Sequence, residues 1–343
     1  MENLQKVLVI SLGDLKDTIY TLPLVCILKR KGYFIEYLTS EKGFEAVNKN
    51  PVINRVHLAP VEQWIKKMPY WGIWEDMGEV VKKLQKREFD IAIDCQMTMR
   101  SAYLFAKCGA KRRLSYSTAQ GFSSFGANEF IDTNPEFKNT NVHKVEKNLN
   151  FARYLGLKTD GAEFFLPELK YEAKTKMDKF INFAEEKPII VLSPNMLQGE
   201  VSWHPKNWVN LVTNIPEKYN IIVIGDNQDN VLATRLSHKN LVNLCGKTRF
   251  EDLRYILSLA DIIVSNNLET SAVAWAMNKS KVITISTSMS PAMYNPFNLK
   301  DDNKYITLTG NLACQPCNKT QCENSSYKCS HSPTVEAVLN AIR

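Results

Sequence analysis

The sequence predicts an α/β chain of two domains, each a parallel sheet with helices on both faces. The chain has 343 residues, more than a single core ordinarily organises. Short apolar runs alternate with segments of helical spacing, the signature of parallel sheets covered by helices. One polar stretch, Lys158 to Lys170 with Gly161 and Pro167, interrupts this rhythm before a second strand–helix series starts at Pro188. The expected domains are 1–165 and 166–330, followed by a terminal segment 331–343.

The first strand, Val7–Ile10, leads into a turn, Ser11 to Asp17, and a helix that opens through Thr21-Leu22-Pro23 and runs over Leu22–Lys31. A glycine-bearing turn between a buried strand and a helix puts backbone N–H groups and a carboxylate at the mouth of the sheet. Strands Phe34–Leu38, Val56–Leu58 and Ile91–Asp94 follow, with helical spacing over Trp74–Arg87, Ser101–Cys108 and Val145–Leu155. An exposed helix, Tyr171–Glu186, precedes the second series. Its strands are Ile189–Leu192, Ile221–Ile224, Ile262–Val264 and Val282–Ile285, and its helices Trp208–Ile215, Phe250–Leu259 and Ser271–Met277. Two such halves facing each other leave a cleft between them. The last helix, Thr334–Ile342, is free to pack back onto the N-terminal domain.

Apolar residues at 44% and charged residues at 23% are ordinary for a soluble globular chain. No run approaches the roughly eighteen apolar residues of a membrane span, and Met1 to Val25 lacks a signal-peptide pattern, so a cytoplasmic location is expected. A net charge of +7 is modest, and the basic residues are scattered apart from Lys29-Arg30-Lys31 and Lys111-Arg112-Arg113. This favours anionic ligands or contact with the inner face of an anionic membrane over nucleic acid, unless the runs are simply solvated faces. Cys26, Cys95, Cys108 and Cys245 lie in apolar segments and read as small core residues. Cys314, Cys317, Cys322 and Cys329 are spaced C-x2-C-x4-C-x6-C, which in a reducing compartment suggests zinc or iron on thiolates, with free thiols and disulfides as alternatives.

Seven segments then carry a resemblance by their order. They are Gly13…Asp17 with Thr21-Leu22-Pro23; Arg100-Ser101-Ala102; Gly109-Ala110-Lys111-Arg112-Arg113; His143 to Leu149; Ser193-Pro194-Asn195 through Trp203; Cys245-Gly246-Lys247-Thr248; and Ala260 to Asn267. Together they resemble glycosyltransferase family 9, the ADP-heptose:lipopolysaccharide heptosyltransferases, over nearly the whole chain. The resemblance implies the GT-B fold, two Rossmann-like domains flanking a cleft. Similar cysteines recur in that family, including relatives that hold iron.

The family resemblance also implies roles. Sugar transfer from a nucleoside diphosphate needs a base for the acceptor hydroxyl, donors for the departing diphosphate, and a held sugar ring. Asp17 matches the base; without the family match, Asp17 or Asp14 reads as a helix cap. Lys16 stands where the family has glycine and either lowers the pKa of Asp17, binds acceptor phosphate, or faces solvent. Arg100 joins Lys16 on the acceptor side. On the donor side the match gives Asn195, Asp229 for the ribose, and Asn266, Asn267, Thr270 and Ser271 at a helix opening that either receives the diphosphate or is simply N-capped. Val201 replaces the family lysine, leaving Lys206 or His204 as substitutes, while Asn267, Glu269 and Ala272 replace aspartate, glycine and histidine. The expected reaction is inverting transfer of a heptose from a nucleotide sugar, ADP-heptose by resemblance, to lipopolysaccharide core or a protein serine, with no cofactor required for catalysis. The departures leave two alternatives: a relative that binds a sugar nucleotide or a partner without catalysis, and a transferase with an altered donor.

Overall fold

The computed structural model describes residues 4–67, 73–117, 125–133, 142–196, 201–298, 301, 303–323 and 325–343. The chain divides into two units, Met1–Glu168 and Leu169–Arg343. Each contains a six-stranded, all-parallel sheet with Rossmann-like strand order.

In the first unit the strands are β1 (Lys6–Ser11), β2 (Phe34–Thr39), β3 (Arg55–Leu58), β4 (Ile91–Asp94), β5 (Arg112–Ser115) and β6 (Glu129–Phe130), in the order β3-β2-β1-β4-β5-β6. Its helices are α1 (Leu15–Arg30), α2 (Glu41–Val47), α3 (Val61–Lys67), α4 (Ile73–Gln85), α5 (Met99–Lys107) and α6 (Lys144–Tyr154). Central β1 is covered on both faces, which is why it reads as an unbroken apolar run. Leu8 and Ile10 join Trp64, Phe89, Leu104 and Phe105 in one core.

Helix α1 starts at Leu15, seven residues before the predicted start, with Pro23 in its interior. Proline removes one donor from the ladder and costs about 3 kcal/mol. Burial from Ile19 through Leu28, with α1 packed on α6, outweighs that loss. The basic run before and in β5 is neutralised locally. Lys111 pairs with Asp90 at 2.8 Å and Arg112 with Glu129 at 2.7 Å, while Arg113 donates to the carbonyls of Gly126 and Ala110.

In the second unit the strands are β7 (Ile189–Ser193), β8 (Asn220–Val223), β9 (Leu241–Asn243), β10 (Ile262–Ser265), β11 (Lys281–Ile285) and β12 (Tyr305–Leu308), in the order β12-β11-β10-β7-β8-β9. Helices α7 (Tyr171–Met177), α8 (Pro205–Asn214), α9 (Asn230–Ala233), α10 (Phe250–Leu259), α11 (Leu268–Met277), α12 (Pro291–Tyr294) and α13 (Val335–Ile342) surround them. The expected helix Tyr171–Glu186 is the shorter α7, because only Ala173 and Met177 bury a face. Trp203 and Trp208 meet edge to face, centroids 5.0 Å apart, in a core shared with Ile190, Val223 and Ile283. Val338, Leu339 and Ile342 of α13 lie in that same core, where sequence left the terminal helix free to pack on the N-terminal domain.

One buried charge ties the first sheet to its flank. Glu36 of β2 is fully buried, 2.6 Å from His57 Nε2 of β3, and accepts from Arg87 Nε at 3.0 Å and Nη2 at 2.6 Å. Burial alone would push this carboxyl up; the His57 and Arg87 hydrogen bonds overcome it and bring it down to about 2. A carboxyl lowered in the folded state stabilises the fold above its unfolded value and loses that contribution as pH falls through the folded one. Glu36→Gln is therefore expected to destabilise by about 3 kcal/mol in urea titration at pH 7. The difference from the unaltered protein should shrink as pH is lowered from about 4.5 toward about 2.

Candidate functional site

Strand order reverses between β1 and β4 in the first unit and between β7 and β10 in the second. Where order reverses, the loops leaving the two strands diverge to opposite faces and open a crevice beyond the strands' C-terminal ends. The predicted site residues of each unit gather mostly at its own reversal.

In the first unit the β1–α1 turn supplies Gly13, Asp14, Lys16 and Asp17. Asp14 is the N-cap of α1 and accepts the Asp17 N–H at 3.2 Å, so the capping role falls to Asp14 and the Asp17 carboxylate is left in the first turn. Lys16 forms an ion pair with Asp14. Ser40 Oγ donates to the Gly13 carbonyl at 2.7 Å, fixing the turn against the end of β2. From the β4 side, Gln96 Nε2 donates to Asp17 Oδ2 at 3.4 Å. The Gln96 turn is anchored by Asp94, whose carboxylate accepts from the N–H of Gln96 at 3.0 Å, the N–H of Met97 at 2.9 Å and Ser101 Oγ at 2.9 Å. Met97 takes a left-handed conformation, φ +55°, uncommon for a residue with a side chain.

Burial is the largest influence on the Asp17 carboxyl and raises it; the Asp14 charge raises it further. Lys16, Lys144 and the Gln96 hydrogen bond pull the other way, and the net direction is up. Lys16 thus lowers the carboxyl, as its sequence position suggested, but burial and the Asp14 charge outweigh it. Buried Asp94 is pushed up to about 6 by desolvation, against its three hydrogen bonds. Lys144 opens α6, capped by His143, whose ring meets Tyr20 edge-on at 5.7 Å. Lys147, one turn on, is pushed below its ordinary value by burial and then by the like charge of Lys144, and lies 4.9 Å from the Tyr116 ring centroid. Arg100 is half-buried in the first turn of α5.

In the second unit several predicted donor residues hold the crevice together. Asn266 is fully buried; its Oδ1 accepts from Trp203 N at 2.6 Å and its Nδ2 donates to the Ile285 carbonyl at 2.9 Å. Asn267 N-caps α11, accepting from the N–H groups of Glu269 at 2.9 Å and Thr270 at 3.2 Å, so capping already uses two N–H groups of the helix opening. Thr270 Oγ1 accepts from Ser193 Oγ of β7 at 2.9 Å across the strand reversal, and Ser271 is buried beside it in sequence. Asn195 follows β7, also buried. Asp229, 2% exposed, accepts from Met196 N and Asp226 N, both at 2.9 Å; burial raises its carboxyl despite those bonds.

Val201 is buried, its N–H donating to Ser288 Oγ at 3.0 Å, and residues 197–200 of the matched segment lie outside the described residues. Lys206 is exposed near the start of α8. His204 caps that helix and stacks on His331 at 4.3 Å; burial, then His331 and Lys206, disfavour its protonated form.

The four clustered cysteines were the expected zinc or iron site. Among the described residues no three His, Cys, Asp or Glu side chains are arranged to hold an ion. Cys314 is exposed, Cys317 and Cys322 are partly so, and Cys329 is buried in a 3-10 turn. Burial raises the Cys329 thiol, and Cys317, Cys314 and Cys322 raise it further, so the four lie near one another. Among the described residues no two cysteines are joined in a disulfide.

Sequence reading missed Gln96, Asp94, Lys144 and Lys147. The signal was the strand Ile91–Asp94: once it is placed beside β1, the residues leaving it must share the β1 crevice. Lys144 and Lys147 needed knowledge that α6 packs on α1.

The model of glycosyltransferase family 9 (heptosyltransferase) matches residues 77–328. The lipopolysaccharide core heptosyltransferase OpsX of Haemophilus influenzae is 22% identical over 241 residues, which cover 67% of this chain and 66% of that protein, just under two thirds of its length. A glycosyl transferase family 9 structure from Veillonella parvula superposes with a TM-score of 0.81 at 17% identity, covering 100% of this chain and 97% of that one. The Escherichia coli heptosyltransferase WaaC with ADP-2-deoxy-2-fluoro heptose superposes at 0.72 with 18% identity, covering 98% and 99%. These superpositions show a shared fold, the expected two-domain α/β GT-B class. With the ordered sequence segments and a family match over most of its length, the chain belongs to glycosyltransferase family 9.

Proposed function

We propose that the chain transfers a heptose from a nucleoside-diphosphate donor, ADP-heptose, to a hydroxyl of the lipopolysaccharide core, with inversion and with Asp17 as general base. The observation that carries this reading is a carboxyl at the β1–β4 crevice whose proton affinity is raised by burial and Asp14. A base works best when its pKa approaches the working pH, and an ordinary aspartate is too weak a proton acceptor for a sugar hydroxyl. In the reaction the acceptor oxygen bonds to the anomeric carbon as the bond from that carbon to the diphosphate oxygen breaks. The hydroxyl proton passes to Asp17 and the nucleoside diphosphate leaves.

Lys16, Lys144, Lys147 and Arg100 suit an acceptor that carries carboxylate or phosphate. This favours the anionic core over a protein serine. In the second unit the crevice offers hydroxyls at Thr270 and Ser271 rather than a buried lysine. We assign the donor to this unit, with Asn195 and Lys206 at its approach and Asp229, Asn266 and Asn267 shaping its wall. Among the described residues no helix is long and apolar enough to cross a membrane, and we propose that the chain acts in the cytoplasm, at the inner face of the membrane that holds its acceptor.

Asp17→Asn should lower turnover 10²- to 10⁴-fold while calorimetry shows ADP binding unchanged; full turnover in a folded variant removes Asp17 as base. Turnover should fall about tenfold per pH unit on the acid side, with a midpoint above the ordinary aspartate range, read from ADP release with ADP-heptose and heptose-deficient lipopolysaccharide. Lys147→Ala should raise the acceptor KM about tenfold with little change in kcat; an unchanged KM places the acceptor elsewhere.

A further inference from the structure

The contact between the two loops of the first crevice has a role beyond packing. Gln96 lies in the turn that leaves β4, and the Asp94 carboxylate fixes that turn at three points. The Cys95 N–H donates to the Ile10 carbonyl at 3.0 Å, which locks that turn in register with the end of β1. Its left-handed residue, Met97, shows that the backbone here holds an unfavourable conformation, a cost found where surrounding contacts over-determine a site. The Gln96 side chain ends 3.4 Å from Asp17 Oδ2. Gly13 makes room for it, since a Cβ there would overlap both the Asp17 carboxylate and the Gln96 carboxamide. The amide nitrogen must be the end that faces the carboxylate, because the oxygen would set two acceptors against each other.

We propose that Gln96 is a positioning residue for Asp17, holding Oδ2 by its carboxamide N–H so that Oδ1 is the oxygen that receives the acceptor proton. Its catalytic value rests on the transferase reading above; the contact does not. A neutral donor suits this task. It fixes the carboxylate by favouring the ionised form, yet adds no charge that would suppress basicity as strongly as a lysine. The other groups facing Asp17 are Asp14 and Lys16 from its own turn and Lys144 from α6, and all remain in the variants below.

The test follows the Asp17 carboxyl by carbon NMR in protein labelled with [4-13C]aspartate, its signal identified by loss in Asp17→Asn. In Gln96→Leu the titration midpoint should rise by about half a pH unit or more. Gln96→Glu keeps the length, replaces the donor with a carboxylate, and should raise the midpoint further; it also carries the test if Gln96→Leu does not fold. The acid limb of the pH profile for ADP release, with ADP-heptose and heptose-deficient lipopolysaccharide, should move the same way, and kcat should fall more than KM rises. An unmoved midpoint in a folded variant overturns the assignment whatever the activity. Because the NMR titration needs no substrate, a moved midpoint in the variants, when the unaltered protein releases no ADP, upholds the contact and overturns the transferase reading instead.

Discussion

Position 13 must be a glycine because the space a side chain would fill is occupied by a carboxylate from α1 and a carboxamide from the β4 loop. The geometry of the first crevice follows from that close approach. The turn can be short only if its backbone lies against Asp17 and Gln96, and only a short turn puts Asp17 in the first turn of α1, with Asp14 left as the cap. Helix α1 then runs sixteen residues between sheet and α6, long enough to absorb the proline at its centre. The alignment of α1 with α6 in turn brings Lys144 within electrostatic reach of the carboxylate it modulates.

Charge around Asp17 is balanced by geometry more than by composition. Two cations near a carboxylate would ordinarily lower its pKa. Here one of them is paired with Asp14, a carboxylate that itself pushes Asp17 up. Desolvation supplies the larger part, because α1, the β1 turn and the β4 loop enclose the group. The substitution of lysine for glycine at position 16 is therefore compatible with a basic Asp17, provided Asp14 remains to hold the lysine.

Strand–helix alternation made the sheets and the two-unit division legible, because parallel strands buried on both faces leave unmistakable apolar runs such as Val7 to Ile10. Some outer strands were not legible. Arg112–Ser115, one strand in from the edge, and the edge strand Tyr305–Leu308 carry charge or alternate too weakly, and they are strands because a neighbour's ladder recruits them. Asp17 was singled out through the position of Thr21-Leu22-Pro23, yet its environment was not legible, since Gln96 and Lys144 are 79 and 127 residues away in sequence. Asn266 and Asp229 were legible as polar residues at strand ends. Their work in bonding backbone groups depends on where Trp203 and Met196 lie, which no local pattern encodes.

The second crevice departs from the family pattern in a way that is consistent with itself. The bond from Trp203 N to Asn266 Oδ1 brings the segment around Val201 alongside the turn at Asn266-Asn267. At position 201 a family cation has become an apolar residue, and at 267 a family carboxylate has become an amide, so the two changes remove opposite charges from adjoining segments. Val201 is packed there, its N–H satisfied by Ser288. A diphosphate held there must be recognised by hydroxyls and backbone N–H groups in place of an ammonium, and such neutral donors bind an anion by direction more than by field strength. On the proposed reading, donor specificity depends on the placement of Thr270, Ser271 and their backbone more than on a lysine at position 201.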